Sequence, residues 1–178
     1  MEAILEAFRI FFRWAHVLFG ILWIGNSFFF NWMINSFEKP EQEKEGVEGE
    51  LWMLHGGGFF QVEKKSLDPR WIPKILHWFK YEAYFTWLTG FILLTLVYYL
   101  SGGMYLVKDG SSILPYQASL IGLFSLIIGW LIYDLLWRSP LADDEPLCSL
   151  ITFLFLCLEA YVLCQLFLGR GAYIHMGA

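Results

Sequence analysis

The sequence predicts an all-α integral membrane protein, a bundle of about four transmembrane helices with a long, partly apolar first connector. Three observations carry that prediction. The first is composition: of 178 residues, 57% are hydrophobic, 20% aromatic and 16% charged, with a mean hydropathy of +0.51. Soluble domains carry about 45–50% apolar and about 25% charged residues, so the excess apolar surface here needs lipid. The second is segment length. Four apolar stretches, at about 14–34, 78–100, 116–137 and 147–168, each approach the ~20 residues that cross ~30 Å of hydrocarbon. The third is the absence of strand-like alternation; helices satisfy their own backbone groups in lipid.

The first stretch, "WAHVLFGILWIGNSFFFNWMI", is too long for a signal peptide, and no A-x-A-like cleavage site follows it. The connector at 35–77 divides in two. "EKPEQEKEGVEGE" is charged and expected to be solvated, whereas "LWMLHGGGFF" is apolar enough to fold back onto the bundle. The second stretch begins beside His77. "SGGMYLVKDGSSILP" and "RSPLADDEPL" punctuate the later spans with turn-forming residues. Residues 1–178 read as a single membrane domain without repeats. Cys148, Cys157 and Cys164 lie in the fourth stretch and read as small packing residues; no C-x-x-C-H haem-attachment motif occurs. Net charge is -5, the pI is about 5.3 and there is no basic tract, which excludes nucleic acid as an expected partner.

Lys and Arg placement sets orientation. The first connector, its exit and the third connector hold eight of the twelve, and the other side holds four: Arg9, Arg13, Lys108 and Arg170. That asymmetry favours a cytoplasmic first connector and an N-terminus outside. The four histidines then sort by side, His16 and His175 outside, His55 and His77 inside. Gly20, Trp23, Ser27 and Asn31 share the His16 face approximately, and small residues there suit either a flat macrocycle or close helix packing. Lys80, Tyr81 and Tyr84 follow His77 at helical spacing. His175 follows the fourth span across the expected turn "GRGAY". Two histidines per side could hold two b-type haems, since haem iron takes axial imidazole. Each histidine could equally hydrogen-bond a carbonyl or a lipid headgroup.

Glu159 lies near the middle of the fourth span. An ionisable group there is a functional candidate by default: protonated, in a proton path, or paired with a base. Asp134 and Glu82 are nearer span ends, where they can reach water or pair with Arg138 or Lys80. In the connector, Gly56, Gly57 and Gly58 permit positive φ and close backbone approach to a ligand. With Trp52 and Phe59 they form a candidate substrate or partner contact, or an interfacial anchor.

"RWAHVLFGILWIGNSFFF", "GELWMLHGGGFF", "HWFKYEAYFTWLTGF", "YDLLWRS" and "GAYIHMGA" resemble, in order and through essentially the whole chain, the membrane domain of bacterial membrane-bound urate oxidases. The resemblance implies a membrane domain of about eight helices followed by a cytochrome c domain in the periplasm. It implies conversion of urate to 5-hydroxyisourate, in purine catabolism, with electrons passed to cytochrome c. An even helix count also puts the N-terminus outside, in the bacterial inner membrane. The chain corresponds to about the first half of such a membrane domain and stops at "YIHMGA", which reads as a truncated or split protein whose further helices a partner chain could supply, or as a related short subunit with another task.

The leading functional expectation is a membrane redox protein with haem b. His16, His55, His77 and His175 are the candidate iron ligands, cytochrome c the acceptor and a flat heterocycle such as urate the substrate. The alternative is a non-catalytic accessory subunit of a larger respiratory or photosynthetic complex. A third is proton-coupled transport through Glu159.

Overall fold

Near its N-terminus the chain commits to a single long helix. In the computed structural model, which describes residues 2–66 and 68–178, helix α1 runs from Glu2 to Asn35, 34 residues. It starts about three turns before the expected first span, because "AILEAFRIFF" continues the apolar helical pattern and Arg9 pairs with Glu6 at i,i+3 (3.4 Å). It stops where polar side chains turn back on it. Asn35 donates to the Asn31 carbonyl at 2.7 Å and Ser36 to the Trp32 carbonyl at 2.8 Å, with Pro40 just beyond.

The connector holds the main departure from the expected all-helical fold. Strands β1 (Val47–His55) and β2 (Gly58–Lys65) form an antiparallel hairpin, with His55 opposite Gly58 at its tip. The two-residue loop is Gly56-Gly57, at φ 58° and 78°. A type I′ hairpin turn needs positive φ at both positions, and glycine takes it without penalty. The glycines thus build a turn. The expectation of no strand failed because both faces of this hairpin carry large apolar side chains, which hides the alternation. Glu38 bridges to Glu50 beside β1 (N···O 3.0 and 2.9 Å). Buried Glu50 accepts from the Glu41 amide (2.8 Å) and the Gln61 side chain (2.9 Å), which satisfies its carboxylate.

Helix α2 (Lys80–Leu94) has 15 residues and passes into a π turn at Thr95–Tyr99. The expected second span is therefore not one α-helix, and His77 precedes α2 instead of lying on its face. Thr95 donates its hydroxyl to the Phe91 carbonyl (2.9 Å), and the Leu100 amide reaches five residues back to Thr95 (2.8 Å). Helices α3 (Pro115–Trp137) and α4 (Glu145–Leu166) cover the third and fourth apolar stretches. Pro115 opens α3, and Asp144 caps α4 by accepting from the Leu147 amide at 3.1 Å. "GRGAY" is no turn: it begins a further helix, α5 (Gly169–Gly177).

Helices α1, α3 and α4 are long and apolar enough to cross a membrane. The chain divides into two compact units, one of residues up to His16 with Trp87–Ala178, the other of Val17–Thr86. The core of the first is Leu106, Ala118, Leu163, Phe167 and Ala172. Lys108 there donates to the Cys164 and Gln165 carbonyls (2.6 and 3.1 Å), a cation on the last carbonyls of α4. The second joins the later part of α1 to the start of α2 through Phe19–Phe85 and Phe30–Phe79 ring contacts (5.0 and 4.7 Å).

Candidate functional site

His175 is buried, 4% exposed, on α5. Its Nδ1 lies 2.7 Å from the Gly171 carbonyl, which can only accept, so Nδ1 carries the proton. Nε2 is then the lone-pair nitrogen, and it accepts from the Tyr99 hydroxyl at 2.9 Å. Tyr99 closes the π turn. The Phe167 ring lies 5.0 Å from the imidazole. Opposite stands Gly122 of α3, where an added Cβ would collide with His175 Nε2. Burial holds the imidazole below its ordinary pKa range, against the opposing pull of the Gly171 carbonyl.

His16 repeats the arrangement in the same unit. Its Nδ1 lies 3.2 Å from the hydroxyl of buried Thr89, and an added Cβ on Gly90 would come within 2.9 Å of its Cε1. Both histidines are thus seated against a glycine of a neighbouring helix, with a hydroxyl on one nitrogen.

The other two lie in the second unit and have no such seat. His55 ends β1 and is exposed. His77 is exposed and meets the edge of Phe79 at 4.5 Å. Among the described residues no group of three or more His, Cys, Asp or Glu converges as a metal site.

Trp52, Met53, Leu54, His55 and Phe60 of the hairpin face Phe29 and Trp32 of α1 across a cleft of about 720 Å³. The hairpin is polar at its base, with Lys44–Glu63 at 2.7 Å and Lys64–Glu48 at 3.1 Å, and apolar at its tip, where Leu54 and Phe59 are 67% and 78% exposed. The Glu63 hydrogen bond raises the Lys44 pKa, and the Lys44 ammonium lowers that of Glu63. Arg70 holds the Asp68 carboxyl below the usual carboxylate range.

The acids separate as well. Glu82 accepts from Asn26, 2.7 Å to each oxygen, not from Lys80. Asp134 pairs with Arg138 at 3.0 Å. Glu159 lies against Gly129 of α3, in a cleft it shares with Ser125. Sequence reading missed Tyr99, Thr89, Gly90, Gly122, Gly129 and Asn26. One signal was available: Ala118, Gly122, Ser125 and Gly129 recur at four- and three-residue spacing, a small-residue stripe along one face of α3.

Membrane-length apolar helices around glycine-seated histidines define the class: a helical protein of membrane character with two built imidazole sites. The chain matches the family described as Urate oxidase N-terminal over residues 2–178, and it belongs to that family. No curated protein and no solved structure matches it.

Proposed function

We propose that this chain is the membrane-embedded redox part of a urate-oxidising system in the bacterial inner membrane. In this reading its N-terminus is periplasmic, and a cytochrome c domain or chain takes the electrons. The observation that carries the redox reading is the His175 seat. To hold haem iron, His175 would have to be neutral, keep one N–H on a carbonyl and turn its lone-pair nitrogen from Tyr99 to the metal. His175 has that tautomer and that carbonyl; its Nε2 is packed against Gly122 and accepts from Tyr99, so both contacts would have to open for iron to reach it. His16, beside Thr89 and Gly90, is the second candidate, with a hydroxyl where His175 has a carbonyl.

When bound, haem b would supply one-electron chemistry. The chain's own part is to hold imidazoles in register: Gly171 orients His175, Thr89 orients His16, and Tyr99 can return its hydroxyl to Nε2 when that nitrogen is not ligated. In the second unit, the aromatic cleft beside His55 and Trp52 suits a flat heterocycle such as urate, with His55 as its polar contact. Gly56 and Gly57 are committed to the turn and leave Trp52, Phe60 and His55 as the contacts.

The test is urate-dependent reduction of added cytochrome c by membranes containing the chain, alone and with candidate partner chains. Reduction lost in His175→Ala membranes supports the reading. Urate turnover that ignores both His175→Ala and His16→Ala counts against it. One observation favours the alternative, an accessory subunit: the most apolar window of α1 buries none of its residues inside the chain. That surface suits other subunits as well as lipid.

A further inference from the structure

Well inside α4, Glu159 differs from the other acids of the apolar helices. Glu82 has the Asn26 amide and Asp134 the Arg138 guanidinium, whereas no described residue donates a hydrogen bond to the Glu159 carboxyl. Its two oxygens lie 3.0 and 3.3 Å from where a Cβ on Gly129 would stand, so the group is laid against the α3 backbone and not extended along α4. The adjoining cleft, about 320 Å³, is otherwise lined by aliphatic and phenyl side chains, Phe124, Ile128 and Phe155 among them, with Ser125 the only other polar one. The Ser125 proton is already given to the Gly122 carbonyl at 2.8 Å. In that arrangement Ser125 turns its lone pairs, not its proton, away from the Gly122 carbonyl. A carboxylate only accepts, and apart from Ser125 the side chains lining the cleft have no polar hydrogen to give it.

The titratable groups on the elements packed around it do not line the cleft: Tyr116, Tyr133 and Asp134 on α3, Glu145, Cys148, Cys157, Tyr161 and Cys164 on α4, Asp143 and Asp144 before α4, and Arg170, Tyr173 and His175 on α5. No cation faces it. A lone ionised carboxyl in such surroundings is costly, and an acid within an apolar helix is retained for a role.

We propose that Glu159 is a reversible proton-binding site, loading one proton per chain in the α3–α4 cleft. The inference does not depend on haem or on urate turnover.

The test uses the full chain in lipid nanodiscs and the hydrophobic reagent dicyclohexylcarbodiimide. A neutral carboxylic acid adds to it: the acid proton goes to one nitrogen, the carboxyl oxygen bonds the central carbon, and an acyl shift gives a stable N-acylurea. Nothing leaves and nothing is oxidised. Peptide mass spectrometry should place the adduct on Glu159 near neutral pH, with loss of labelling as pH rises and complete loss in E159Q. G129A, which pushes the carboxyl from its seat, should reduce labelling. Infrared spectra give a second readout that needs no reagent to enter the cleft: a protonated-carboxyl band that alkaline pH removes in the wild type. Only carboxylate bands at neutral pH, or labelling of Glu159 that does not change with pH, would overturn the proposal.

Discussion

His175 and His55 each stand beside glycine, and the two glycines mean opposite things. At His175 the glycine is Gly122, distant in sequence and across a helix seam, and what it contributes is room for a ring. At His55 the glycines follow directly, and they contribute backbone angles for a turn. The first histidine is buried with both nitrogens engaged; the second is exposed at the tip of a hairpin. A glycine adjacent in sequence thus reports on local backbone, and only a glycine adjacent in space reports on a site.

Substitutions can break that contrast, and the largest effect belongs at the seam. Gly122→Ala places a methyl on the imidazole and should cost about 2–3 kcal/mol in thermal unfolding of the purified protein, the usual scale of overpacking. Tyr99→Phe keeps the packing but strips the buried Nε2 of its donor, an expected loss of about 1–2 kcal/mol by the same assay. In the hairpin, Gly57→Ala forces a Cβ into left-handed backbone, at about 1 kcal/mol. It should raise hydrogen exchange across β1 and β2 while leaving the exchange of α3 and α4 unchanged. Gly58→Ala sharpens the comparison within the triplet: its φ is not positive and its Cβ would meet Phe60 at an ordinary 3.5 Å, so hairpin exchange should barely move.

The smallest effect is with pH. The Glu63 pKa is lowered by Lys44, so its contribution is full above the ordinary carboxylate value and is lost as pH falls through the lowered one. The Lys44 pKa is raised, so its contribution is full below the ordinary lysine value and lost as pH rises through the raised one. Exchange protection at the hairpin base should therefore be flat through neutrality and weaken slightly at both extremes. Lys44 is exposed and Glu63 half-buried, so solvent screening keeps the change small.

What was legible in the sequence follows from which interactions are local. Apolar runs bounded by Pro, Ser and Asp mark α3 and α4, because caps and breakers act within a turn of the helix end. The family was legible too, through motifs spread over the whole chain. The hairpin was hidden because Trp52, Leu54 and Phe59 on one face and Met53 and Phe60 on the other remove the polar alternation that marks a half-buried strand. The seats of His16, His175 and Glu159 were out of reach for another reason. Gly90, Gly122 and Gly129 become partners only when helices pack, and sequence spacing does not report which helix faces which. The π turn that carries Tyr99 depends on a threonine–backbone hydrogen bond with no sequence signature beyond Thr95 itself.

The central claim is that glycine-seated histidines, not the connector histidine, are the redox ligands. The most direct measurement is a reduced-minus-oxidised spectrum of the full chain, purified after expression with ample haem, as wild type, His175→Ala, His16→Ala and His55→Ala. The account predicts a b-type band in the wild type that is retained in His55→Ala and lost in the two seated-histidine variants. A wild-type protein with no band, or a band that survives in both His175→Ala and His16→Ala, would contradict it.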